Sequence, residues 1–196
     1  MKRLLVLYIA LLWACIASAQ KPVNVLREVS DAVAGLGAYT ADFMMSSNDG
    51  EGQGSYTVSG EQFRINTGAL ELLCDGKLYY EIDHINHEVV IDKIGQNATI
   101  WSNPAKAFSM LEKRFNHSLE QQGREYILTL TPKIKGEEGF TLVVDSSTKL
   151  PMRAKYGVGP HLVTLRFVGL REVGNSPLQF TFDKEQYPQY EIIDMR

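Results

Sequence analysis

From Thr40 to Lys93 the chain runs in short segments whose apolar residues recur at every second position, closed by glycine-containing turns, the pattern of strands that bury one face. Phe63 and Ile65 share a face of one segment, and Leu78, Tyr80 and Ile82 share a face of another, so a sheet apolar on one side is expected. That side must be covered by a helix, by a second sheet or by something the protein carries. Strands are predicted over residues 41–47, 54–58, 62–67, 70–74, 78–83 and 88–93, with Asp75-Gly76 as a hairpin turn. Ahead of them Val25, Leu26, Val29, Ala32, Val33 and Leu36 recur at helical spacing behind Pro22, and Gly35 and Gly37 end that helix. Asn103-Pro104 opens a second helix, in which Phe108 and Leu111 share a face. Further strands are predicted over 125–131, 140–145, 152–156, 162–168 and 178–182. Short turns join them, at Lys135-Gly136, Asp145 to Thr148, Gly157 to Pro160 and Gly174-Asn175. The expected fold is α+β but mainly β, with two helices and about eleven strands in two antiparallel meanders.

The N-terminus carries a different pattern. Lys2 and Arg3 precede an apolar run from Leu4 to Leu12, and Ala17-Ser18-Ala19 offers small residues for cleavage, so residues 1–19 read as a signal peptide. The run is shorter than the roughly 20 residues a bilayer span needs. A rival reading takes Leu12-Trp-Ala-Cys15 as a lipidation box with Cys15 as anchor. Either way the protein is exported, with residues 20–196 as one domain, since no linker or repeat divides them.

Charge and cysteine content narrow the partners. Lys and Arg number 20 against 23 Asp and Glu, for a formal net charge of −3, and no basic run is present, which excludes nucleic acid. Beyond the leader Cys74 stands alone, and its place after Leu72-Leu73 reads as a small buried hydrophobe.

Candidate chemistry is sparse. His84 and His87 stand three apart, which on a strand points them to opposite faces, so they read as turn residues and not as a metal pair. His117 and His161 have no nucleophile motif beside them. Asp49, Glu51, Glu137 and Glu138 sit in glycine-rich turns, where nothing fixes the separation an acid and a base would need. No nucleophile elbow, phosphate loop or dinucleotide fingerprint occurs. Asn97 and Asn116 match glycosylation acceptors by composition alone. No enzyme activity, cofactor or metal is expected.

Several segments in order carry a resemblance: Glu51-Gly-Gln-Gly54, Phe63-Arg-Ile65, Cys74-Asp-Gly-Lys-Leu-Tyr-Tyr80, Asn103-Pro104, Tyr126-Ile-Leu-Thr-Leu-Thr-Pro-Lys133 and Phe180-Thr-Phe-Asp183. With them the chain resembles the periplasmic outer-membrane lipoprotein carrier family, LolA, in a Bacteroidetes-type form, over nearly all of residues 20–196. The resemblance implies an open, incomplete β-barrel closed by a helical lid, holding the acyl chains of lipoproteins. It implies a monomer, loaded by an inner-membrane lipoprotein-releasing ABC transporter, that delivers to an outer-membrane receptor or to the membrane itself. It places Phe63 in the cavity, and Phe43, Tyr56, Ile65, Tyr80, Phe108 and Leu111 are inferred to line it. Enteric members carry an Arg-Pro pair whose arginine bonds to the lid; this chain has Ser59-Gly60 there, and Arg64 lies further along. A stress-sensing regulator of the same half-barrel is the alternative, and an enzyme acting on lipid or glycan is a third class.

Overall fold

The computed structural model describes residues 21–94, 107–136, 138–157, 159, 162–174 and 177–196. The proposed leader with Cys15, the Asn103-Pro104 helix start, Asn97, Glu137 and His161 lie outside these residues. Helix α1 spans Pro22–Ala34 with Lys21 as N-cap. Pro22 suits the first turn because its missing N–H falls where the helix has no carbonyl to offer. Val25, Leu26, Val29 and Val33 form its buried stripe. Gly37, at φ 65°, turns the chain out of the helix in a conformation that penalises any Cβ.

One sheet follows, built from β1 (Tyr39–Ser47), β2 (Gly50–Ser59), β3 (Gln62–Asn66), β4 (Leu70–Cys74), β5 (Leu78–Asp83) and β6 (Glu88–Lys93). Helix α2 (Ala107–Arg114) then runs straight into β7 (Phe115–Gln122), and β8 (Glu125–Pro132), β9 (Phe140–Asp145), β10 (Pro151–Tyr156), β11 (Val163–Glu172) and β12 (Glu191–Asp194) complete it. The strand order is β12-β6-β5-β4-β3-β2-β1-β11-β10-β9-β8-β7. The two meanders join where β1 pairs antiparallel with β11, and among the described strands only β12, alongside β6, runs parallel to its neighbour. The ends β12 and β7 do not pair, so the sheet stays open.

Twelve strands are described where about eleven were expected. β7 escapes the pattern because only Phe115 and Leu119 stand out among polar residues, as suits an edge strand. β12 has just four residues. Conversely, residues 178–182 form no strand; Phe180 is buried and Phe182 stacks on Tyr80 at 5.7 Å, so packing of an irregular segment produced the alternation.

The expectation of a sheet apolar on one side also fails, for a reason of register. Cross-strand partners share a face. Phe63 pairs with Cys74 and Cys74 with Tyr79, which puts these on the inner face beneath α1. Arg64 pairs with Leu73, Leu73 with Tyr80, and Tyr80 with Ile91, which puts Tyr80 and Ile82 on the outer face. That outer surface is covered by the C-terminal segment, whose Phe182, Tyr187, Tyr190 and Ile192 pack on Leu73, Tyr80, Ile82, Val89 and Ile91. Arg64 is outside as well. Its Nε lies 2.7 Å from Oε1 of the buried Glu71, while Tyr187 donates to Glu71 Oε2 at 3.5 Å and His84 Nε2 stands 3.6 Å from it. His84 Nδ1 meets the Tyr190 hydroxyl at 2.9 Å, and the His87 ring packs edge-on against Tyr190. Both histidines flank the β5–β6 turn and hold down the C-terminal segment. Among the described residues no group of three or more metal-ligating side chains forms.

Candidate apolar cavity

Helix α1 fills the inner face over β7 to β10 with Val25, Leu26 and Val29 against Leu128, Leu130, Leu142 and Val144. Its C-terminal Val33 reaches the other half, against Tyr39, Val58, Phe63 and Cys74. Between these two clusters the inner face is left uncovered by α1, and a cavity of about 300 Å³ opens there. Its walls come from both meanders: Phe43 and Met45 on β1, Tyr56 on β2, Ile65 on β3, Leu72 on β4, Phe140 and Leu142 on β9, Ala154 on β10, and Leu165 and Phe167 on β11. Helix α2 closes one side with Ala107, Phe108 and Leu111. Leu111 and the adjoining Phe115 are anchored in the core, and Arg27 of α1 holds Glu112 of α2 through Nε at 3.0 Å and Nη2 at 2.6 Å. His117 Nε2 lies 3.1 Å from the Leu111 carbonyl at the end of α2.

Two glycines make room for these side chains. Phe43 pairs with Gly54 and Met45 with Gly52, all facing inward. A Cβ on Gly54 would stand 2.5 Å from Phe43 Cζ and 2.5 Å from the Asn66 carbonyl oxygen, and one on Gly52 would stand 3.3 Å from Met45 Cε. Gly54 is therefore a spatial requirement of the cavity wall, while at Gly52 only the flexible end of Met45 would have to give. Gly60, in the β2–β3 turn, has φ 59°, which a proline ring, fixed near −65°, cannot adopt. Cys74 is fully buried, with Sγ 3.6 Å from the Glu61 carbonyl.

Polar groups on the walls are few: Thr67 and the phenols of Tyr39 and Tyr56. Burial pushes the Tyr39 hydroxyl up to about 12. Tyr56 is also raised, by burial and by Tyr39 beside it. Their rings meet edge to face at 6.0 Å, and Tyr56 meets Phe167 in the same way at 5.9 Å. Broader grooves, of about 440 to 520 Å³, lie on the outer face among Arg153, Arg166, Glu51 and Asp145, but they are more open and carry more polar wall than the inner cavity.

Of the residues singled out from sequence, the structure brings Phe43, Tyr56, Ile65, Phe108 and Leu111 to this cavity. Phe63 faces the same way but is sealed under it, 1 % exposed and packed on Tyr79 at 6.4 Å. Tyr80 is on the opposite face, its hydroxyl donating to Asp75 Oδ2 at 3.2 Å. Tyr39, Met45, Leu72 and all the walls from β9 to β11 went unnoticed. Their alternation is legible in sequence, yet which strands curl round to meet β1 is not.

No family model matches the chain, and no curated protein matches it. Among solved structures it is similar to an uncharacterized conserved protein from Thermus thermophilus, at 11 % identity over 86 % of this chain and 98 % of that one, with a TM-score of 0.52. The two share a fold. A LolA superfamily protein from Nitrosomonas europaea overlays with a TM-score of 0.42 at 12 % identity, covering 85 % of this chain and all of that one. The MucA/MucB complex structure from Pseudomonas aeruginosa gives 0.45 at 17 %, with 84 % of this chain matched to 62 % of that one. At these scores the last two overlays bear on neither family nor function. The chain is thus an open, mainly β half-barrel with an apolar cavity between its two meanders.

Proposed function

We propose that this protein binds the acyl chain of a lipid or lipoprotein in the cavity between its meanders and carries it through the periplasm without chemistry. The cavity supports the reading: about 300 Å³, walled by apolar side chains from both meanders and α2. An apolar cavity of roughly 150 Å³ holds one benzene, so this one has room for about a dozen carbons, enough for one chain and too little for three. Burying roughly 0.8 kcal/mol per methylene, such a chain gains about 10 kcal/mol before the costs of ordering and association. That is strong enough to capture a chain and weak enough to give it up. Helix α2 acts as the lid, held chiefly by the buried Leu111, with the exposed Arg27–Glu112 pair a minor contact. Phe43, Tyr56, Ile65, Phe108 and Leu111 touch the ligand, whereas Phe63 shapes the floor beneath it. In the lipoprotein form of the reading, an inner-membrane ABC transporter loads the protein and an outer-membrane receptor or the membrane itself unloads it.

The test is to purify the exported protein from its native envelope and take native and denaturing mass spectra. A stoichiometric acylated ligand, absent from a folded Leu165→Trp variant whose indole fills the cavity, is expected. An equal ligand load on both proteins would overturn the assignment. Deleting the gene separates carrier from sensor: carrier loss strands lipoproteins in the inner membrane, and sensor loss changes transcription.

A further inference from the structure

Along β1 the inward residues pass from buried Tyr39 and Ala41 to half-buried Phe43 and Met45, and just past the end of β3, two strands over, the wall ends at exposed Thr67. At about 3.3 Å per residue this is a run of roughly 20 Å from a closed end to a mouth. The closed end is sealed by Val33, and it is there that the cavity has its phenols. Tyr39 is 7 % exposed. Among the described residues neither its hydroxyl nor that of Tyr56 has a hydrogen-bond partner, and burial dominates both raised pKa values, with no hydrogen bond contributing. On the outer face Tyr80 donates to Asp75, Tyr187 to Glu71, and Tyr190 meets His84, whereas the inward Tyr79, packed on Phe63 away from the cavity, also has no hydrogen-bond partner among the described residues. Two neutral donors stand free on the walls of an otherwise apolar cavity, where a polar atom of an entering ligand can meet them. A hydrocarbon tail entering first would leave them unmet.

We propose that Tyr39 and Tyr56 receive an acyl carbonyl at the closed end, so that the ligand is a single-chain fatty acid, or its small ester, entering carbonyl first with its tail toward the mouth. The proposal rests on the acyl-binding reading of the cavity and narrows its ligand class. Both phenols remain protonated donors across the physiological range, since burial holds Tyr39 neutral to about 12. The carbonyl of a lipoprotein-linked chain, by contrast, is tethered outside the mouth and cannot reach Tyr39.

The experiment measures displacement of the fluorescent apolar probe N-phenyl-1-naphthylamine by dodecanoic acid, methyl dodecanoate, dodecane and a synthetic triacylated lipopeptide. It compares the wild type with Tyr39→Phe, Tyr56→Phe and the double variant. Each lost bond should weaken the acid and the ester about tenfold and leave dodecane unchanged. Melting temperatures within about 2 °C of wild type without ligand show that the variants fold. An acid affinity unchanged in the double variant would overturn carbonyl recognition, as would a lipopeptide that binds all four proteins alike and better than the acid; the acyl cavity would survive either result. A wild-type protein from which no chain displaces the probe would instead refute the cavity reading itself.

Discussion

Gly54 offers the sharpest check on how the cavity wall is built. Its backbone does not need a glycine, since it lies outside the positive-φ positions, so any cost of Gly54→Ala is one of space. The new methyl would stand 2.5 Å from Phe43 Cζ, 3.0 Å from Phe43 Cε1 and 2.5 Å from the Asn66 carbonyl oxygen, where ordinary contact begins at 3.4 Å. About 1 Å of movement is required. The carbonyl belongs to β3, which is paired on both sides and yields little, so the β2 backbone must shift off the carbonyl while the Phe43 ring swings into the cavity. Overpacking of this kind costs roughly 1–3 kcal/mol, and in a chain of this size about 2–4 °C of melting temperature per kcal/mol, or a fall of roughly 2–12 °C. Gly52→Ala is the internal control. Its methyl meets only the flexible end of Met45 at 3.3 Å and should stay within about 0.5 kcal/mol of wild type. Thermal denaturation followed by circular dichroism reads both. A double-mutant cycle with Phe43→Leu should recover part of the loss, through a coupling of roughly 0.5–3 kcal/mol. Equal melting temperatures for the two alanine variants, or no coupling to Phe43, would refute the reasoning.

Four further outcomes follow from the geometry. Arg64→Ala should destabilise the protein more than Glu71→Gln, because it strands a buried carboxylate, a loss of roughly 3–5 kcal/mol by urea denaturation; the reverse order would show that Glu71 is held by Tyr187 and His84 instead. Arg27→Ala should change stability by less than about 1 kcal/mol, as the Arg27–Glu112 pair is exposed, so a larger loss would mean that α2 depends on it. Tyr39 and Tyr79 ionise near pH 10 in the unfolded chain but are held protonated by burial to about 12 in the fold. Their folded form favours the proton, so their contribution is complete below pH 10 and is lost as pH climbs towards 12; tyrosinate absorbance rising in one step near pH 10 without unfolding would contradict this. Leu165→Trp should fold and lose ligand, as read by mass spectrometry of the co-purified complex.

The sequence by itself determined the local elements and little of their arrangement. Pro22 with its apolar stripe marks α1, Asp75-Gly76 marks the β4–β5 turn, and the alternation in β1 to β6, β8 and β9 to β11 places those strands within a few residues, because period and turn chemistry are properties of neighbours along the chain. The Glu51-Gly-Gln-Gly54 motif was visible, but its cause, Phe43 and Met45 lying over two bare glycines, needed the β1–β2 register. Strands with weak patterns were lost to sequence: β7 at an open edge and β12 with four residues. Which face is inside was decided only by tertiary structure. Alternation says that Tyr80 and Tyr79 point apart, yet the more apolar face of β5, with Leu78, Tyr80 and Ile82, is the outer one, covered by Phe182, Tyr187 and Tyr190 from about a hundred residues downstream, while Tyr79 packs inward. For the same reason the cavity could not be located: half of its wall belongs to β9 to β11, brought beside β1 by a single long-range pairing with β11. The period of a side chain is a local fact, while burial is a property of whatever the folded chain places opposite it.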